Sequence, residues 1–183
     1  MKNESRGEPE IKTKKAVKAE PALHELFLDS LRDIYWAENH LVKTLPGIIA
    51  FATSQDLNSA LQEHLILTEK QIKRLEQIFD TLGEKAVARK CDAMEGLTKE
   101  GEHIVERTEA GSATRDAGII LAVQKIEHYE IATYGGLTQL AKTLGLDDIA
   151  EVLAQTLSEE KDADFLLTEI AENCVNYKAS EED

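Results

Sequence analysis

Four glutamates, Glu38, Glu127, Glu130 and Glu160, have the type and spacing to meet inside a helical protein. Asp164 follows Glu160 by one helical turn, and His64 is the imidazole placed most nearly like them. Oxygen-rich sites with an occasional imidazole suit iron or manganese. No Lys or Arg occupies the positions that face these groups. An ionised carboxylate taken out of water costs several kcal/mol unless a partner compensates it. Protons, water or metal cations remain as remedies. Two divalent cations, either two irons or two manganese ions, would balance four carboxylates. Di-metal helical bundles use this device, with one Glu from each of two helices and Glu-x-x-His from each of the others.

The neighbouring polar residues have quieter readings. Thr68 and Gln71 are expected as hydrogen-bond partners of the carboxylates rather than ligands. Tyr134 lies one turn beyond Glu130, where core packing competes with a hydrogen bond to a carboxylate. His64 could be a satisfied core histidine or could orient a carboxylate. His128 follows a core position and should point sideways. Tyr35 and Trp36 should pack against a neighbouring helix or a partner subunit, and His24 and His103 should lie on the surface. No nucleophile–base pair and no phosphate-cradling glycine loop is present.

These residues need long helices to carry them. Apolar residues recur in alternating steps of four and three in four segments, the signature of a packing seam. The first, 21–52, reads Phe27, Leu31, Ile34, Glu38, Leu41, Leu45, Ile48, with Pro46 expected to kink it. The second, 57–82, reads Leu57, Leu61, His64, Thr68, Gln71, Leu75, Ile78 and stops at Gly83. The third, 115–144, reads Ile120, Val123, Glu127, Glu130, Tyr134, Leu137, Ala141 and stops at Gly145. The fourth, 148–175, reads Ile149, Leu153, Thr156, Glu160, Ala163, Leu167, Ile170. All four seams turn polar near their centres.

Short links join the first pair and the last pair, so each pair is antiparallel. The link over 84–113 is long enough to return along the bundle, and Met94, Leu97, Ile104 and Val105 give it a short helix of its own. The expectation is an all-α, ferritin-like antiparallel four-helix bundle over 21–177 with that fifth helix in the crossover. A plain up-down bundle or a coiled-coil dimer are the alternatives. Residues 1–20 and 178–183 read as disordered tails, because they hold few large apolar residues.

Depth along the bundle complicates the site. Glu38 is level with Gln71, whereas His64 lies seven residues away, about 10 Å along a helix. Glu130, Glu127, Asp164 and Glu160 fall at consistent depths in the second pair.

Bulk composition narrows the function. With 183 residues, 42% of them hydrophobic, the chain can bury a core. A net charge of −14 repels phosphate backbones and anionic membrane surfaces. Cys91 and Cys174 match no zinc or CxxC spacing. No signal peptide and no run of about 18 apolar residues is seen, so a cytoplasmic location is expected.

The sequence resembles the YciE/YciF-type family of ferritin-like bacterial proteins across about residues 23–175. The resemblance is carried by Leu31-Arg-Asp-Ile-Tyr35 with Ala37-Glu38, His64-Leu with Thr68, and Ala93-Met-Glu-Gly-Leu97. Its most specific stretch is Lys125-Ile-Glu-His-Tyr-Glu-Ile-Ala132 with Tyr134-Gly135, completed by Leu157, Glu159-Glu-Lys161 and Asp164. The resemblance implies a five-helix ferritin-like fold, often dimeric, associated with bacterial stress responses and labelled ferroxidase-type by analogy. The chain departs from the wider ferritin-like pattern. It reads Thr68-x-x-Gln71 and Glu160-x-x-Ala163 where Glu-x-x-His would stand. The expected function is a carboxylate-bridged, di-iron stress protein acting on O2 or H2O2, as a homodimer. The rival is a non-enzymatic stress or interaction protein with a vestigial site.

Overall fold

The structure, a computed structural model, describes residues 21–182. The expected tail over 1–20 lies outside the described residues. Five long helices follow one another: α1 (Pro21–Ile49), α2 (Gln55–Leu82), α3 (Asp92–Arg107), α4 (Ala113–Leu144) and α5 (Asp147–Ile170). A π-helical turn, Ala171–Val175, then leads into α6 (Asn176–Ser180). No strand is present among the described residues.

Local chemistry sets the helix ends. Ser54 caps α2, its Oγ accepting from the Leu57 N–H, and Ser112 caps α4 by accepting from Arg115. Gly83 and Gly145 end α2 and α4 with φ of 69° and 75°, a conformation that favours glycine. In each case the next residue's N–H returns to a carbonyl in the last turn, Glu84 to Phe79 and Leu146 to Ala141. Helix α1 runs through Pro46 and stops at Ile49, earlier than the expected 52.

Around the bundle the neighbours are α1, α2, α5 and α4 in cyclic order, with α3 lying against α1 and α4. Asp116, buried at the start of α4, accepts from Thr53 N (2.8 Å), Thr53 Oγ1 (2.7 Å) and Ser54 N (2.7 Å). The start of α4 therefore sits at the α1–α2 turn, so α2 and α4 are parallel and each adjacent pair in the cycle is antiparallel. Helix α3 returns the chain along the bundle, as expected of the crossover. It approaches α4 closely: a Cβ added at Gly118 would lie 2.5 Å from Ile104 Cγ2.

The seams supply the core. Phe27, Leu31, Ile34, Leu41, Leu45, Leu57, Leu61, Leu75 and Leu153 are all essentially excluded from solvent, each contributing about 1.5–3 kcal/mol. Burial on this scale is what allows the polar centre to be tolerated. No described helix is long and apolar enough to cross a membrane.

The C-terminal expectation needs correction. Lys178–Ser180 belong to α6 rather than to a disordered tail. Beyond them the Glu182 carboxylate accepts from Ala113 N (2.6 Å) and Thr114 N (2.9 Å). A carboxylate at a helix N-terminus satisfies free N–H groups and favours the dipole, and that anchors a segment poor in apolar residues.

Candidate metal centre

Helix α4 carries Glu127 and Glu130 three residues apart, on one face. Helix α5 brings Glu160 across from them, and α2 brings His64. Each of these four side chains offers a ligand atom within 4.8 Å of the others, and all four are buried. Ligand atoms around one ion at about 2.0–2.2 Å lie within about 4.4 Å of one another. The cluster is therefore close to single-ion scale. Glu38, 0% exposed, is outside this set of four; its Oε1 accepts a hydrogen bond from the Tyr134 hydroxyl.

The donor set suits a cation. Both oxygens of Glu127 and of Glu130, Oε2 of Glu38 and of Glu160, and both ring nitrogens of His64 are buried without a hydrogen-bond partner. Native interiors rarely leave such atoms unsatisfied. The five such oxygens of Glu127, Glu130 and Glu160 and the His64 imidazole, with no Lys or Arg among them, have the donor chemistry of an oxygen-rich transition-metal site.

Burial also sets the protonation of the cluster. Burial pushes the Glu38, Glu127 and Glu130 carboxyls well above the usual range, reinforced by the neighbouring carboxylates. Burial also raises Glu160, to about 7, although the neighbouring Glu127 carboxyl, with Gln71 and Arg74, opposes the rise. Desolvation lowers His64 to about 4. His64 Nε2 lies 3.4 Å from Glu127 Oε1. The imidazole is pushed down and the carboxyl pushed up, so burial favours the neutral form of both groups in this contact. Neutral imidazole is the form that binds metal.

The supporting residues divide unevenly. Gln71 donates to Glu160 Oε1, and Tyr134 fills the carboxylate-binding role that competed with plain packing. Thr68 instead spends its hydroxyl on the His64 carbonyl (3.0 Å) and steadies that turn of α2. Asp164 does not join the cluster. It is half-buried, its Oδ1 accepting from Gln124 Nε2 (3.1 Å) and its Oδ2 lying 3.4 Å from the exposed His128. The seam steps by three from Glu160 to Ala163, and Asp164, about 100° further round the helix than Ala163, falls on its flank. Tyr35 packs edge-on against Phe79, and Trp36 stacks on His40.

Arg74 was not expected. Its guanidinium holds Glu159 through two bonds (2.5 and 2.7 Å) and reaches Thr156 Oγ1 (3.1 Å), beside Glu160. It lies off the seam, so facing positions alone did not reveal it; its spacing of three from Gln71 was the available signal.

An all-helical, ferritin-like bundle with a carboxylate–imidazole cluster at its centre is thus the class that fold and site define. The chain belongs to the family described as a domain of unknown function, DUF892, which matches residues 22–180. It is 41% identical over 158 residues to Protein YciF of Escherichia coli strain K12, covering 86% of this chain and 95% of that one. The crystal structure of the E. coli stress protein YciF is similar with a TM-score of 0.82 at 40% identity, covering 87% and 100% of the two chains. YcfI of Rhodopseudomonas palustris, provisionally described as a structural protein, is similar with a TM-score of 0.78 at 41% identity, over 83% and 96%.

Proposed function

We propose that this protein binds iron or manganese at His64, Glu127, Glu130 and Glu160, with Glu38 available to help hold a second ion. The observation that carries the reading is the set of buried, unpartnered ligand atoms facing one another without a basic residue. The similarity to a protein named as a stress protein supports a role in stress chemistry, with O2 or H2O2 as the oxidant. A bound iron would supply electrons to such an oxidant. The chain's own residues prepare the place. Gln71 fixes Glu160 Oε1 and leaves Oε2 free, and Tyr134 does the same for Glu38. His64 stays neutral, and the surrounding Leu and Ile residues exclude water.

A purely structural polar layer is the second reading. Raised carboxyl pKa values favour it, since protonated glutamates need no cation. Elemental analysis separates the two readings. Protein purified without chelators and loaded anaerobically with Fe(II) should hold about one ion per chain or more, and a Glu127→Ala/Glu160→Ala variant should hold far less. Occupancy below about 0.1 ion per chain would leave only the structural layer.

A further inference from the structure

Helix α3 covers only part of the α1–α4 face. Toward one end Ile104 packs against Gly118, and at the other Cys91, which caps α3, lies 3.0 Å from the Tyr129 hydroxyl. Beyond Tyr129, α4 continues for fifteen residues to Leu144, about 22 Å. Beside it, α1 spans the twelve residues from Asp33 back to Pro21, about 18 Å. Between these two stretches lies an open groove of about 460 Å³.

The groove is apolar along its length and acidic where α3 begins. Leu137 and Leu140 form its floor, and Leu26, 55% exposed, forms its α1 edge. A Cβ added at Gly136 would meet nothing within 4 Å, so a passing chain can approach the backbone there. Asp33 is half-buried, and its Oδ2 accepts from the Tyr129 hydroxyl (2.7 Å). Among the described residues no Lys or Arg pairs with Asp33, whereas Asp29 is held by Arg32 (3.3 Å) and Arg89 (3.0 Å). A carboxylate partly out of water and without a cation favours a lysine beside it.

We propose that residues 11–19 dock in this groove of their own chain, with Lys15 paired to Asp33. Connectivity selects this occupant, because α1 begins at the outer end of the groove. The segment reads Ile11-Lys-Thr-Lys-Lys-Ala-Val-Lys-Ala19, with four lysines and no acid in a chain of net charge −14. Extended, it places Ile11, Thr13, Lys15, Val17 and Ala19 on one side and the other three lysines on the opposite side. Lys15 precedes Pro21 by six residues, about 20 Å of extended chain. That equals the helical distance from Pro21 to Asp33. Folding back at Pro21 therefore brings Lys15 level with Asp33, Val17 level with Ala132 and Gly136, and Ala19 level with Leu26. A second copy is the poorer occupant, since two acidic bodies repel each other. The tether supplies an effective concentration on the order of millimolar. The C-terminal segment, equally poor in apolar residues, is already anchored through Glu182 on the start of α4. The contact involves none of the cluster residues and stands apart from the metal reading.

The full-length protein with benzoylphenylalanine in place of Val17 tests the contact. Irradiation at about 0.1 M salt should crosslink it within the same chain to the α1 and α4 peptides containing Leu26, Ala132 and Gly136, read by mass spectrometry. A Lys12→Glu/Lys14→Glu/Lys15→Glu/Lys18→Glu variant should lower the yield at least about fivefold. Salt at about 1 M, which cuts the screening length from about 10 to 3 Å, should weaken it as well. Asp33→Asn keeps an acceptor for Tyr129 and should also reduce the yield. Methyl NMR of the chain with Val17 intact gives a second reading. The Leu26, Leu137 and Leu140 signals should move in the fourfold variant, while those of Leu57 at the far end stay. Crosslinks scattered over the surface, an undiminished yield in the fourfold variant, or unmoved Leu137 and Leu140 signals would overturn the proposal. Crosslinks that join two chains and rise with protein concentration would overturn it too, and would give the groove to a second copy.

Discussion

The hydroxyl of Tyr134 on α4 donates to Oε1 of Glu38 on α1, and both residues are fully buried. This bond ties the two hairpins together at the polar layer. Tyr134→Phe keeps the ring and removes the donor, leaving a second orphaned oxygen on Glu38. The metal-free protein should lose about 1–3 kcal/mol, measurable by urea unfolding. No change would mean that the ring alone matters there.

None of the four oxygens of Glu127 and Glu130 accepts a hydrogen bond. A Glu127→Gln/Glu130→Gln variant keeps the shape and removes the capacity to ionise. At about pH 8 its metal-free form should gain about 1–4 kcal/mol in stability, while metal affinity falls steeply. Melting temperatures with and without Fe(II) or Mn(II) would display the opposed signs. A loss of stability in the metal-free variant would contradict the desolvation account.

The pH dependence follows from the same groups. Glu160 rises in the folded state from 4.5 to about 7, and Glu38, Glu127 and Glu130 rise as well. Folding then retains protons that the unfolded chain releases, so stability declines as pH rises through the folded values. His64, lowered from 6.5 to about 4, acts oppositely: its contribution is complete above 6.5 and is lost on acidification toward 4. From about pH 6.5 to 8 only the carboxyl effect remains. The metal-free protein should melt at lower temperature across that range. The metal-loaded protein should hold or gain, because its ligands must be deprotonated. Thermal scans on both forms test this.

Arg74 opposes the rise of Glu160. Arg74→Met should move the Glu160 titration upward and extend the metal-free decline to higher pH. Its pair with Glu159 is about one-fifth exposed on each side, so the stability loss should be modest, about 1 kcal/mol. Carboxyl NMR titration would follow Glu160 directly.

Much of this was legible in the sequence because helical periodicity carries burial with it. Glu38, Glu127, Glu130 and Glu160 stand where leucines would otherwise stand, and all four are buried. The two C-terminal glycines and the crossover helix follow from local rules. Asp164 and Arg74 show the limit. Whether a residue one turn on still faces inward depends on rotation about the helix axis and on neighbours such as Gln124. Off-seam reach belongs to long side chains such as Arg74, whose head departs from its own register. His64, seven residues from the level of Glu38 by helix count, groups in the structure with Glu127, Glu130 and Glu160.

The division of the cluster between hairpins has a kinetic consequence. Glu38 and His64 arrive on α1–α2, and Glu127, Glu130 and Glu160 arrive on α4–α5. Each hairpin can form through local contacts, which are fast. Joining them confines five titratable groups, so docking must take up protons or a cation before it completes. Refolding of the metal-free protein should therefore slow as pH rises, with the delay removed by a divalent ion added before docking rather than after.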